Sequence, residues 1–226
     1  DFYFGSLYAG IQHAMPQAST NLVWCDYEAC QKRDLLQSCR GLIAVAPPVY
    51  LLPWLSELQR RMPVVVLGAD TRPWEIPCVD SDNRQAMQQA VCHLVAQGHR
   101  RFIGVFADQY ALNTQDRIRA FFMVLARHNI PDSAVYFFLS QDTFYLDPQV
   151  NDAMQGLLRL PRHERPTAVM GGGYYLAMAA LQLANSVRHE VPRQLSIVGF
   201  DDPPSAALTM PPMTTLRQPL YQMGVQ

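Results

Sequence analysis

Short apolar runs alternate with stretches whose apolar residues recur every three or four positions along almost the whole 226-residue chain. The first pattern suits strands buried on both faces and the second suits helices that cover them, so the alternation predicts parallel sheets flanked by helices. Expected strands are 21–25, 41–46, 63–68, 101–107, 135–139, 167–171, 195–200 and 214–217. Phe4, Leu7, Tyr8, Ile11 and Met15 fall on one helical stripe. The chain thus opens on a helix, which an α/β lobe rarely does, and a strand is expected ahead of it.

The clearest helix starts at Asp82. Its carboxylate can cap the first turn, Gln85 stands three residues on, and Ala86, Met87, Ala90, Val91, Leu94 and Val95 form a stripe that Gly98 ends. A second helix is expected from about Thr114 with Ile118, Phe121, Phe122, Leu125 and Ala126 inward. A third runs from Tyr174 with Ala177, Leu181 and Ala184 inward. Proline pairs at 47–48, 203–204 and 211–212 read as turns.

Val191 to Asp202 adds chemistry to this pattern. A buried strand, Leu195 to Phe200, delivers Asp201 and Asp202 at its carboxyl end, the edge where open α/β sheets bind ligands. Met210 to Pro219 then turns through prolines and resumes with Thr214 and Thr215, as a chain crossing into a second lobe would.

Composition excludes more than it assigns. Eighteen Lys and Arg against nineteen Asp and Glu leave a net charge of −1, and no basic block exceeds a pair, so the chain by itself should bind DNA poorly. No apolar run approaches the ~18 residues of a membrane span. Five cysteines, an odd number without CxxC spacing, argue against a disulfide framework or structural zinc and for buried thiols in a reducing cytoplasm. The six histidines lack metal spacing, and His99 is expected to face the carbonyls at a helix end. No GxSxG, HExxH or nucleophile beside a base is present, so no catalytic residue, metal or cofactor is expected. Gly171-Gly172-Gly173 matches neither phosphate-loop pattern and reads as a tight strand-to-helix turn.

Three ordered blocks resemble the effector-binding core of the LacI/GalR transcription regulators. They are Val79 to Asn83 leading into His93 to Val105; Asn113, Thr114, Arg117, Ala120 and Phe121; and Pro166 to Val169, then Ala177-Met178, the Val191 to Asp202 run and Pro211 to Pro219. The resemblance covers nearly the whole chain. It implies an α/β fold of two doubly wound parallel-sheet lobes joined by crossovers, like type I periplasmic binding proteins. The expected small lobe is 1–79 with 213–226, incomplete at both ends, and the large lobe is 80–212.

The resemblance also implies a small effector, a sugar favoured, in an interlobe cleft; a homodimer; a cytoplasmic location; no membrane association; and operator DNA contact only through a helix-turn-helix headpiece absent from this chain. The Tyr174 helix and 210–217 are the expected dimer surface. Asp201 matches the family's cleft acceptor and Arg117 its donor, a pairing suited to hydroxyls, though a structural Asp201–Arg117 ion pair is the competing reading. Asp202 is expected to face solvent or cap a turn. Tyr3 and Phe4 match cleft aromatics, and Phe4 could instead open its helix stripe. Asn113 and Thr114 could donate to ligand oxygens, or Thr114 could be the helix cap. Gln218 can reach the cleft or serve a hinge, and Asp70 ends a small-lobe strand.

Where the family commonly has Asn-Asp, this chain reads Gly171-Gly172-Gly173-Tyr174-Tyr175, so effector identity does not carry over. A periplasmic sugar-binding protein for transport or chemotaxis is the alternative. A sugar- or nucleotide-active enzyme using Asp80, Asp201 and Asp202 is a third reading without a supporting nucleophile.

Overall fold

The computed structural model describes residues 2–15, 21–31, 33–107 and 109–226. The chain divides into two units, Asp1–Ser81 with Pro219–Gln226, and Asp82–Gln218. The second boundary falls later than the sequence pattern placed it, because Thr214–Leu216 pairs into the sheet of the larger unit and does not return to the smaller one.

The smaller unit carries helices α1 (Phe2–Ala14), α2 (Tyr27–Gln31), α3 (Arg33–Gln37) and α4 (Leu52–Leu58), strands β1 (Leu42–Val45), β2 (Val64–Leu67) and β3 (Cys78–Val79), and a closing helix whose range follows below. The strands form a parallel sheet in the order β1-β2-β3. Strand β3, two residues long, is too short to give a periodic signal. Residues 21–25 form no strand; Trp24 is exposed and its ring packs edge-on against Tyr8 at 4.9 Å. Cys25 and Cys30 are joined as a disulfide, against the expectation of free thiols only.

The larger unit carries α5 (Asn83–Ala96), β4 (Phe102–Ala107), α6 (Leu112–Arg127), β5 (Val135–Ser140), α7 (Pro148–Leu158), β6 (Ala168–Gly171), α8 (Tyr174–Ser186), β7 (Ser196–Phe200) and β8 (Thr214–Leu216). Helix α9 (Leu220–Val225) then belongs to the smaller unit. All five strands of the larger sheet are parallel, in the order β5-β4-β6-β7-β8.

Side-chain alternation explains why the central strands read as continuous apolar runs. In β4, Phe102 and Phe106 enter one core with α5 and α6, whereas Ile103, Val105 and Ala107 enter the other with α7 and α8. The smaller sheet is likewise covered on both sides, by α4 over Ala44, Val64 and Val66 and by α1 and α9 over Leu67. This is the parallel α/β class that the alternation predicts, doubly wound as the resemblance implies.

Asp82 caps α5 as expected, its Oδ1 accepting from Gln85 N at 2.9 Å. Asp82→Ala should cost about 1 kcal/mol, the usual value of a lost N-cap, read as a lower urea midpoint for the larger unit. Three local expectations fail. Helix α6 starts at Leu112 behind Ala111, so Thr114 lies inside its first turn and is not the cap. Phe121 and Leu125 are buried as expected and Val124 with them, but Phe122 and Ala126 are exposed, because the sheet-facing stripe is narrower than the apolar content suggests. Phe4 is 42% exposed, and Tyr3 and Leu7 pack toward the smaller core.

Candidate functional site

The order β5-β4-β6 makes the carboxyl ends of β4 and β6 a switch point. The chain leaves β4 toward one side and β6 toward the other, opening a crevice of the kind that binds ligands in open parallel sheets. The segment after β4 enters α6, which carries Asn113, Thr114 and Arg117. The segment after β6 is Gly172-Gly173.

Arg117 joins the two. Its Nε donates to Asn83 Oδ1 at 2.7 Å and its Nη1 to the Gly172 carbonyl at 3.0 Å, and its guanidinium lies 3.6 Å from the centre of the Phe200 ring. At 8% exposure this cation is nearly dry. Its planar fork and stacking face each have a partner, a geometry that lysine could not reproduce. The competing reading of an Asp201–Arg117 ion pair is not what these contacts describe; Arg117 organises the switch point through an amide, a carbonyl and a ring.

Gly172 is small for a reason. A Cβ there would sit 2.9 Å from Phe106 Cγ and closer still to Cδ1, inside a fully buried ring. The glycine run is therefore a tight turn, as its sequence suggests, and Gly173 takes the N-cap position of α8 without a side-chain cap.

Asp201 follows β7 on the same edge, with φ at +76°. Left-handed backbone at a residue other than glycine costs roughly 1–2 kcal/mol, although aspartate tolerates it better than most. Two contacts hold it. Thr215 Oγ1 donates to the Asp201 carbonyl, and Gln218 Nε2 donates to Asp201 Oδ1. Gln218 is itself buried, at 8% exposure. A strained carboxylate with one oxygen occupied by an internal donor keeps its remaining lone pairs in a fixed direction, an arrangement typical of binding sites.

Asp202 neither caps a turn nor stands alone in solvent. It accepts from Arg217 Nε at 2.7 Å and pairs with Nη2 at 2.6 Å. Asn113 Oδ1 accepts from Thr114 N at 2.8 Å within the first turn of α6. The structure thus brings Arg117, Asn113, Thr114, Asp201 and Gln218 to one sheet edge of the larger unit.

Tyr3, Phe4 and Asp70 belong to the smaller unit. The rings of Tyr3 and Phe4 meet edge to face at 5.5 Å. The Tyr3 hydroxyl lies over Gly68, where a Cβ would be 3.1 Å from Tyr3 Cζ and closer to the oxygen. Two residues on, Asp70 is gripped by Arg72, whose Nε is 2.9 Å from each carboxylate oxygen. Tyr3 and Asp70 therefore share the carboxyl edge of the smaller sheet, with Asp70 in a local ion pair.

Asn83, Gly172, Phe200 and Thr215 were not singled out from the sequence as site residues, although each lies in or beside a quoted block. Only Phe200, next to Asp201, carries a local signal. Among the described residues no group of three or more His, Cys, Asp or Glu could hold a metal ion, and no helix is long and apolar enough to cross a membrane.

The family model for the periplasmic binding protein-like domain matches residues 91–226. The arabinose metabolism transcriptional repressor of Geobacillus stearothermophilus is 34% identical over 173 residues, covering 76% of this chain and 47% of the relative. The transcriptional repressor CytR of Escherichia coli K12 is 34% identical over 169 residues, covering 74% and 48%. The chain spans about half the length of these curated relatives. A ribose-bound LacI family transcriptional regulator from Enterococcus faecalis superposes over 100% of this chain and 82% of its own with a TM-score of 0.77 at 21% identity, a likeness of fold. The chain belongs to the periplasmic binding protein-like domain family, as an effector-binding domain of the LacI/GalR type.

Proposed function

We propose that this chain senses a small polyhydroxylated molecule, a sugar, for a transcription regulator, and that occupancy alters operator binding by a helix-turn-helix headpiece. The observation that carries this reading is the carboxylate of Asp201, held at φ +76° by Thr215 and Gln218 on the same sheet edge as the buried Arg117. A fixed ionised acceptor beside hydroxyl- and amide-bearing Asn113 and Thr114 suits ligand hydroxyls, because charge-assisted bonds to a preorganised group waste little entropy. The ribose in the Enterococcus faecalis regulator and the arabinose repressor among the relatives support a sugar.

Tyr3 and Asp70 are the contacts we propose from the smaller unit, with Phe4 presenting an exposed ring. For the ligand to act as a signal it must bind one arrangement of the protein better than another; affinity alone shifts nothing. Two-fold pairing of chains would match palindromic half-sites. The relatives are named as regulators, and the site offers no nucleophile beside a base, so we read it as a binding site without turnover.

A thermal-shift panel of ribose, arabinose, galactose and glucose tests this. A sugar present at 100-fold over its Kd should stabilise the protein by about 2.7 kcal/mol. Asp201→Ala should abolish that shift and Asp202→Ala should leave it, since Asp202 is committed to Arg217. An undiminished shift in Asp201→Ala would remove the assignment.

A further inference from the structure

The parallel strands β7 and β8 carry the proposed site at their carboxyl ends, yet the same unit has a second concavity at their amino ends. A cavity of about 490 Å³ is lined there by the buried Leu94, Leu181 and Ile197 and the half-buried Met213, with Pro212 exposed at its edge. Its rim is polar: His93, Gln97 and His99 from the end of α5, Arg193 from the turn before β7, and Ser196 and Thr214 from the strand starts. An apolar chamber with a few convergent polar groups is the usual form of a small-molecule site.

The charge of the rim is one-sided. Its titratable groups are His93, His99 and Arg193, with no carboxylate among the lining residues. Just outside the lining, Glu190 meets Arg193 at 3.7 Å in a pair where both side chains are mostly exposed, so it holds Arg193 only weakly. Arg100 adds further positive charge behind the rim, its Nη1 donating to the His99 carbonyl at 2.8 Å. The His99 ring is fixed by a 2.9 Å bond between Nδ1 and Thr167 Oγ1, which aims the imidazole and corrects the expectation that it faces helix carbonyls.

We infer that this amino-edge cavity binds a small organic anion, its carboxylate-type head between Arg193, His93 and His99 and its apolar body on Leu94, Leu181, Ile197 and Met213. Charge complementarity selects the class: the lining carries one guanidinium and two imidazoles and no carboxylate, so an anion gains charge-assisted bonds there that a neutral ligand does not, and a cation gains none. Burial, and secondarily the charge of His93, lowers the His99 pKa from its ordinary value. A bound anion opposes both effects by favouring the imidazolium, so binding takes up protons. The sign follows: affinity is highest below the histidine range and falls as pH rises through it.

The site is separate from the Asp201 edge. It meets that edge through β8, whose first residue, Thr214, lines the cavity and whose second, Thr215, donates to the Asp201 carbonyl. The inference does not depend on the sugar reading; Leu181, Pro212, Met213 and Thr214 belong to the surface expected to pair two chains, so in a homodimer the cavity would lie beside that seam.

Benzoate and its uncharged analogue benzamide serve as probes in calorimetry and in NMR titration of the histidine rings. Benzoate should bind saturably, move the His93 and His99 resonances, and bind about tenfold more tightly near pH 6 than near pH 8, whereas benzamide should do neither. Arg193→Gln, on an exposed side chain whose loss does not threaten the fold, should weaken benzoate about tenfold. His99→Gln, which keeps a polar partner for Thr167, should flatten the pH dependence. Asp201→Ala should leave benzoate binding unchanged, which separates this site from the proposed sugar site. Equal binding of benzamide, no benzoate-dependent shift at either histidine, or unaltered affinity in Arg193→Gln would overturn the inference.

Discussion

Arg117→Ala is expected to lose stability as well as ligand response. The substitution strips a donor from Asn83 Oδ1 and from the Gly172 carbonyl and uncovers the Phe200 ring, all around a residue only 8% exposed. Hydrogen bonds to a charged donor are worth about 1.5–3 kcal/mol each, and collapse of the emptied space recovers some of that, so a loss of about 3 kcal/mol is expected.

Arg117→Lys keeps the charge but cannot reach an amide oxygen and a carbonyl with one rigid fork while stacking on a ring, so it should recover less than half of the loss. Urea denaturation of the three proteins checks this, and sugar-induced thermal shifts should vanish in both variants. A variant of wild-type stability that had lost only its sugar response would mean that Arg117 serves the ligand alone. The contrast with Asp201→Ala is informative: the carboxylate variant should lose the response with a much smaller change in stability.

The second large effect is expected where α1 crosses α9 in the smaller unit. A Cβ on Gly10 would lie 2.9 Å from Gly224 Cα and closer still to the Tyr221 carbonyl oxygen. One on Gly224 would lie 3.0 Å from Ile11 N and closer to the Leu7 oxygen. The obstructing atoms are backbone on both sides, so no side chain can rotate away and the helices must separate. Gly10→Ala and Gly224→Ala should each cost about 3 kcal/mol, at the upper end of overpacking penalties, and should raise hydrogen exchange throughout α9.

Gly5 on the same helix is the control. No atom lies within 4 Å of a Cβ built there, so Gly5→Ala should be neutral or stabilise the helix by up to about 1 kcal/mol. Equal destabilisation by Gly5→Ala and Gly10→Ala would show that helix packing is not the cause.

Both predictions depend on contacts that a linear pattern conceals. The sequence marks Arg117 as a donor through its family block, yet the acceptor at Asn83 is 34 residues away and the one at Gly172 is 55 residues away. Nothing local distinguishes Gly10 from Gly5, since glycine is unfavourable in any helix interior and only the neighbouring helix explains why it is kept. Phe4 shows the opposite error. Its position on an apolar stripe suggests burial, but the core lies along the side that Leu7 and Ile11 face, and Phe4 remains exposed.

What the sequence determined by itself was whatever follows from local backbone geometry. The alternation of buried strands with helical stripes gave the parallel α/β class and seven of the strand positions, the Asp82 cap, the turn at Gly171–Gly173, and a carboxylate pair at the end of β7. The period of a segment is set by its own dihedral angles, so it survives whatever packs against it.

Tertiary structure alone decided the partners. It assigned Thr214–Leu216 to the larger sheet, gave Asp202 to Arg217 and Asp201 to Gln218, turned Arg117 into the tie across the switch point, and gathered His93, His99 and Arg193 around one concavity at the opposite edge. Which donor meets which acceptor depends on strand order and on the angle at which helices cover the sheet, and these arise from packing many distant residues at once, which no single segment encodes.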